Sequence, residues 1–282
     1  MLHKTSLPIV LSIAGTDPSG GAGMQADIKA ISATGSYAAS VVTVLVAQNT
    51  QGVQSIQEIP LPFIQQQLDS VFSDLHLAAI KLGLLYKREI IDLVTQNLER
   101  YRPPFIILDP VITAQSGDAL LQANTTAAFT NLFPLATLIT PNIPEAEILL
   151  NQKISTIKQM QSAAALLANV HKTSVLLKGG HLMAKNSPDL FYDYAQAKTH
   201  CFDSPRIDTK NTHGTGCSLS AAIASYLAQG HDLYHAIRKA KTYLYQAIDS
   251  GKHLKIGKGN GPVDFFYYLR APLINCLFTP TF

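Results

Sequence analysis

Ile9-Val10-Leu11-Ser12-Ile13-Ala14 carries no charge and runs straight into Gly15-Thr16-Asp17-Pro18-Ser19-Gly20-Gly21-Ala22-Gly23. A short apolar run ending in turn residues reads as a strand buried on both faces, the mark of a parallel sheet covered by helices. The same pattern recurs at Val41 to Ala47, Ala79 to Leu82, Phe105 to Leu108, Thr137 to Ile139 and Val175 to Leu177. Helix-like stretches separate these runs: Met24 to Thr34, Phe63 to Phe72, Lys87 to Arg100, Thr125 to Leu132 and Ile157 to Ala168. Such alternation predicts an α/β fold.

The last third changes character. Leu190, Tyr192 and Tyr194 alternate with polar residues in the segment Ser187 to Pro205, which predicts a hairpin or edge strands. Leu219, Ala222, Ile223, Tyr226 and Leu227 then follow helical spacing, with Gly230 as a stop. Asp232 can cap a second helix that carries Leu233, Ile237, Ala240, Leu244 and Ile248 on one face. With no repeat, low-complexity tract or linker, residues 1–272 are expected to form a single domain and residues 273–282 a C-terminal extension.

Composition narrows the function classes. Of 282 residues only 15% are charged, and 22 Lys and Arg against 19 Asp and Glu leave a net +3. Disordered chains and charge-driven nucleic-acid binders show the opposite balance, so no nucleic acid is expected as partner. Tyr37 to Ala47 is too short to cross about 30 Å of hydrocarbon, which argues against a membrane partner. Leu7 to Ile13 leads into Asp17 and a turn instead of a cleavage site, so a cytoplasmic location is expected. Cys201, Cys217 and Cys276 are odd in number and form no C-x-x-C, suggesting neither a disulfide framework nor a zinc ribbon.

Three places can carry chemistry. The first is the glycine-rich turn between the opening strand and its helix, where open α/β sheets bind ligands. Gly21-Ala22-Gly23-Met24-Gln25-Ala26 fits a dinucleotide fingerprint, but the acid expected about 20 residues on is missing. Gly15 and Gly20 have P-loop spacing, but Gly21 stands where the lysine belongs. A turn that merely permits close packing remains open beside these readings.

The second is Asn211-Thr212-His213-Gly214-Thr215-Gly216-Cys217, which opens the first late helix. Successive amides at a glycine-rich helix start make an anion hole, and Cys217 in the first turn is expected to have a lowered thiol pKa. A small buried cysteine is the plainer alternative. The third joins Asp109, after one strand, with Asn142-Ile143-Pro144-Glu145, after the next. Parallel strands bring both acids to one sheet edge, where magnesium could be held with waters and phosphates, unless Glu145 simply favours a helix start. Lys178-Gly179-Gly180-His181 adds a cation after another buried strand. His231 and His235 lack a third ligand and read as surface residues.

Together these motifs resemble the ribokinase-like superfamily, and within it the bacterial hydroxymethylpyrimidine/phosphomethylpyrimidine kinases of thiamine biosynthesis. The resemblance also rests on Gln25-Ala26-Asp27, Ala47-Gln48-Asn49-Thr50, Leu108-Asp109-Pro110-Val111, Thr140-Pro141-Asn142 and Gly257-Lys258-Gly259. It implies a three-layer α/β/α sandwich and ATP-dependent phosphorylation of 4-amino-5-hydroxymethyl-2-methylpyrimidine, then of its monophosphate. By resemblance, Gln48 bonds the aminopyrimidine and Gly15, Ala22, Asp27 and Val46 line its pocket. Lys178, Asn142, Thr212, Gly214, Thr215 and Gly216 serve the nucleotide, and Asp109 and Glu145 hold Mg2+. Cys217 stands where the wider superfamily carries an aspartate base, with Gly214, Gly216 and Lys178 as its catalytic companions. A homodimer is the implied assembly, and Ser187 to Pro205 and the loop at Asn211 are expected covers. A pyridoxine or pyridoxal kinase on the same fold, and a catalytically silent pyrimidine-binding protein, are the alternatives.

Overall fold

The computed structural model describes residues 7–112, 125–182 and 186–269. The opening stretch forms β1 (Ile9–Ala14) and, past the glycine turn, α1 (Gly23–Ala33), which returns the chain to β2 (Tyr37–Val42). There the chain leaves the sheet for a separate hairpin, β3 (Val44–Asn49) and β4 (Gly52–Glu58). It re-enters through α2 (Leu61–Asp74), β5 (Leu77–Leu82), α3 (Arg88–Tyr101) and β6 (Ile106–Leu108). Next come α4 (Phe129–Leu132), β7 (Leu138–Ile139), α5 (Ile143–Leu150), α6 (Ile157–His171) and β8 (Ser174–Lys178). An antiparallel edge hairpin, β9 (Asp189–Asp193) and β10 (Lys198–Phe202), precedes α7 (Thr215–Ala228) and α8 (Leu233–Gly251).

The main sheet has eight strands in the order β10-β9-β8-β7-β6-β5-β1-β2, parallel from β8 to β2 and antiparallel at the β9–β10 edge. Strand alternation divides the core in two. Leu11, Ile13, Ile80, Leu82, Ile106, Leu108, Ile139, Val175 and Leu177 pack beneath α2 to α6. Val10, Ala79, Ile107, Leu138 and Leu176 face α1, α7 and α8. Helices on both faces explain why the apolar runs are unbroken, and the sandwich expected from the sequence is the one observed.

Two local expectations change. Val41 to Ala47 is not one strand: Thr43 divides it, with its N–H donating to Ala14 O at 3.0 Å and its hydroxyl to Leu84 O at 2.7 Å. Beyond it Val44 and Val46 pack on Leu84 in a small cluster of their own. The predicted helix Thr125 to Leu132 is a 3-10 turn (Thr126–Ala128), the short α4, and a second 3-10 turn (Phe133–Leu135) broken by Pro134. The extension 273–282 lies outside the described residues. No described helix is long and apolar enough to cross a membrane.

Candidate active site

A cleft of about 990 Å3 opens at the carboxyl ends of the parallel strands, where ligands of open α/β sheets bind. Five of the six parallel strands deliver a residue to it: Gly15 after β1, Lys81 on β5, Asp109 after β6, Asn142 after β7 and Lys178 ending β8. The β3–β4 hairpin contributes Val46 and Gln48. The start of α7 contributes Thr212, Gly214, Thr215, Gly216 and Cys217.

Two glycines make this convergence possible. Gly214 has φ +76°, and a Cβ there would lie 1.8 Å from Gly21 O, so the two glycine motifs touch backbone to backbone. That contact is locked by Asp17, whose buried carboxylate accepts from the amides of Ser19 (2.8 Å) and Ala22 (2.7 Å) and meets His213 Nε2 at 2.8 Å. Burial pushes the Asp17 carboxyl upward, but bonds from His213, Ser19 and Ala22 outweigh it and hold the group well below the carboxylate range. The glycine-rich turn is therefore more than a packing device. It is half of a scaffold for the α7 start, where the N-cap Gly214 has no side chain with which to cap the first-turn amides.

Asp109 and Lys178 form the polar centre. Lys178 Nζ lies 2.7 Å from Asp109 Oδ1, which also accepts from the Thr140 hydroxyl at 3.0 Å. Burial would lower the lysine, but Asp109 and then Glu145 raise it above its ordinary value and keep it protonated. A Cβ on Gly216 would sit 3.1 Å from Lys178 Nζ and 3.5 Å from Asp109 Oδ2, so the α7 start abuts this pair. Glu145 and Asn142 form a reciprocal capping box at α5, with bonds of 2.7 and 2.9 Å. Glu145 thus caps a helix and also lines the cleft. Burial pushes its carboxyl up to about 7, with Lys178 pulling down and Asp109 repelling.

Cys217 requires a correction. Its thiol is not lowered by the helix start: burial pushes it up to about 11 despite the nearby Lys81. Desolvation of a thiolate outweighs the partial charge of one helix turn.

Of the site residues expected from sequence, Asp27 alone does not line the cleft. It is fully buried, and its Oδ2 accepts from Lys81 Nζ at 2.8 Å and the Ser12 hydroxyl at 2.6 Å, while Oδ1 makes no hydrogen bond among the described residues. Burial alone would lower Lys81, but Asp27 holds it above its ordinary value. Lys81 does line the cleft and was missed; its signal was a lysine inside the apolar run Ala79 to Leu82. Also missed were the Asp17–His213 pair and Asp189. The latter accepts from Gly179 N–H at 2.9 Å and Lys241 Nζ at 2.8 Å, pinning the turn after Lys178. Of the expected covers, Ser187, Asp189, Ser204 and Pro205 line the cleft, as does Thr212 beside Asn211; residues 206–209 line it as well, and Arg206 donates to the carbonyls of Gly180 and Leu182 at 3.0 and 2.8 Å. His231 and His235 lie apart from it, His235 bonding Asp232 at 2.7 Å.

Among the described residues no three His, Cys, Asp or Glu side chains gather as a metal cluster. Asp109 and Glu145 are the acids on the cleft wall beside Lys178. That is enough for a cation taking its other ligands from water and phosphates.

Comparison with known proteins places this geometry. A family model described as phosphomethylpyrimidine kinase matches residues 17–264. A hydroxymethylpyrimidine/phosphomethylpyrimidine kinase of Escherichia coli is 45% identical over 91% of this chain and 97% of its own. The thiamine biosynthesis bifunctional protein ThiED of Geobacter sulfurreducens is 47% identical over 90% of this chain, which spans about half (51%) of that protein. Among solved structures, an ADP complex of Bacillus subtilis pyridoxal kinase superposes with TM-score 0.87 at 31% identity, covering 94% of this chain and 100% of the other. A phosphomethylpyrimidine kinase of Clostridium difficile gives 0.76 at 37% identity, covering 86% and 99%.

Proposed function

The chain belongs to the phosphomethylpyrimidine kinase family, and from that membership we propose that its cleft transfers the γ-phosphoryl group of ATP to the hydroxyl of 4-amino-5-hydroxymethyl-2-methylpyrimidine, then to the monophosphate. The observation carrying this reading is one cleft lined by two chemically distinct groups of residues. The amide of Gln48, with Val46, Gly15 and Ala22, offers a donor and an acceptor to an aminopyrimidine edge. Lys178 and the glycine-rich start of α7, at Gly214 to Gly216, offer positive potential to phosphates. Cys217 lines the same cleft.

Phosphoryl transfer is governed by positioning and by charge stabilisation over the moving group, so the base can be weak. A thiol held near 11 stays protonated at neutral pH. Cys217 therefore orients the hydroxymethyl oxygen by hydrogen bonding and is not a standing thiolate. In the second step the attacking phosphate oxygen is already ionised near neutral pH, and no base is needed. Lys178, kept cationic by Asp109, meets charge on the transferred group in both steps.

Asp109 and Glu145 suit Mg2+, because their mutual repulsion on the cleft wall is what a divalent cation relieves. When bound between them and the nucleotide, the ion would neutralise phosphate charge. A homodimer accompanies this reading through the resemblance. Incubating the protein with the pyrimidine, ATP and Mg2+ tests the whole; mono- and diphosphate products are expected, and the absence of both overturns it. Pyridoxal phosphorylation is the second reading, favoured by the 0.87 superposition on pyridoxal kinase, and parallel turnover of the two substrates ranks them.

A further inference from the structure

Gly257-Lys258-Gly259 stood out in the sequence yet supplies nothing to the cleft lining. The segment following α8 instead folds against the tip of the β3–β4 hairpin. The amides of Lys258 and Gly259 donate to the Thr50 hydroxyl at 3.1 and 3.0 Å, and the amide of Asn260 donates to Thr50 O at 2.9 Å. The approach is too close for side chains. A Cβ on Gly257, which has φ +74°, would lie 2.2 Å from Thr50 Oγ1, and one on Gly259 would lie 1.9 Å from Thr50 O.

The same segment is tied at its other end to the phosphate side of the cleft. His213 N–H donates to Gly261 O at 3.0 Å. Asn211 Nδ2 donates to Gly251 O and Leu254 O, each at 2.8 Å. A Cβ on Gly261 would lie 2.3 Å from Asn211 Oδ1. Residues 251–261 thus form a strap between the turn two residues beyond Gln48 and the loop that leads into α7.

We infer that Thr50 is a positioning residue for the heteroaromatic end of the site: by gathering three strap amides it fixes the hairpin that carries Gln48, and it ties that hairpin to the phosphate-binding loop through His213. Placement of the Gln48 hairpin and assembly of the α7 start are then one event. ATP meets a complete phosphate site when the ring is seated, and that order limits wasteful hydrolysis. The inference rests on the pyrimidine reading for what Gln48 grips, but the tie itself does not depend on it.

Thr50→Val keeps the side-chain shape and removes the acceptor of two amide bonds; Thr50→Ser restores it. Loss of two neutral hydrogen bonds predicts a rise in pyrimidine KM of about tenfold in Thr50→Val, with ATP KM changing less and Thr50→Ser close to wild type. Gly259→Ala, which drives a methyl into Thr50 O, should reproduce the Val phenotype. Amide hydrogen exchange supplies the second readout. Pyrimidine should slow exchange in residues 44–58 and 211–216 together in wild type, and in 44–58 alone in Thr50→Val. Unchanged pyrimidine KM in Thr50→Val and Gly259→Ala, with protection still shared between the two segments, overturns the inference. Should wild type leave the pyrimidine unphosphorylated, the functional reading fails by itself, and ligand-free exchange still decides the tie. Faster exchange at 211–216 in Thr50→Val supports it; no change there overturns it.

Discussion

Asp17 and His213 stand 196 positions apart in the chain and meet at 2.8 Å between Oδ2 and Nε2. Their contact joins the first glycine motif to the one that opens α7, so the placement of the α7 start depends on a residue in the turn after β1. Because the Asp17 carboxyl is held low by His213 and two amides against the opposing effect of burial, its stabilisation is present above the unfolded carboxylate value of about 3.9 and is lost as pH falls below it. Asp17→Ala should lower unfolding free energy by about 1–3 kcal/mol, since two amides and an imidazole lose their acceptor. Urea melts from pH 3 to 7 should also show a shallower acid limb in the variant. An unaltered acid limb would contradict this role.

Cys217 is expected to divide the two phosphorylations. Cys217→Ala should reduce phosphorylation of the alcohol far more than that of the monophosphate, whose nucleophile is an already ionised oxygen that does not need the thiol to orient it. Equal losses in separate assays of the two steps would place the residue in nucleotide binding instead.

Chemical labelling reads the same thiol from another side. With burial pushing it up to about 11, Cys217 in a Cys201→Ser, Cys276→Ser background should react with iodoacetamide at pH 7 more slowly than a free thiol of ordinary pKa, about 8.5. Its rate should climb with pH beyond 9. Fast labelling at neutral pH would show a thiolate and restore the base role.

Glu145 imposes opposite pH trends on stability and turnover. Its folded value near 7 lies above the unfolded value of about 4.3. The folded state therefore binds the proton more tightly, and the contribution to stability present at low pH is lost as pH rises from about 4 to 7. Its carboxylate is the form able to hold a cation, so Mg2+-dependent kcat/KM for ATP should rise over the same interval. Glu145→Gln should flatten both curves, as seen in stability measurements and pH–rate profiles.

Lys81 and Asp27 form a pair with both side chains fully buried. Removing one partner of such a pair strands a charge, so Lys81→Met and Asp27→Asn should each cost about 3–5 kcal/mol. The double variant should recover part of that loss, and denaturant unfolding of the complete cycle measures the coupling. Strict additivity would mean that the two charges do not depend on each other.

Much of the architecture was legible because burial on both faces writes continuous apolar runs. β1, β5, β6 and β8 announce themselves in that way, and the capping residue Asp232 marks α8, whereas α5 behind Asn142 was not among the expected helices. The hairpin was not legible. Val44 to Ala47 is as apolar as a sheet strand, and nothing in its local pattern marks that it leaves the sheet after Thr43 to pair with β4. In the site, all but one of the residues named from motif spacing line the cleft, since strand ends and helix starts carry their own signals. What it missed were partnerships across the fold. Nothing in the local sequence pairs His213 with Asp17 or Lys241 with Asp189, and the raised thiol of Cys217 follows from burial that only the packed chain creates.

The order in which the covering helices occur has a consequence for synthesis. Val10, Ala79, Ile107, Leu138 and Leu176 face α1, α7 and α8, and α7 and α8 span Thr215 to Gly251, after every strand of the sheet. While the chain is being made, the strands can pair and the opposite face can be clothed by α2 to α6, but this face has α1 alone until the last part emerges. A nascent or truncated chain ending before Thr215 therefore presents a broad apolar wall. Such surfaces aggregate or recruit chaperones, and a premature stop in the late helices should yield insoluble protein more readily than a stop beyond Gly251.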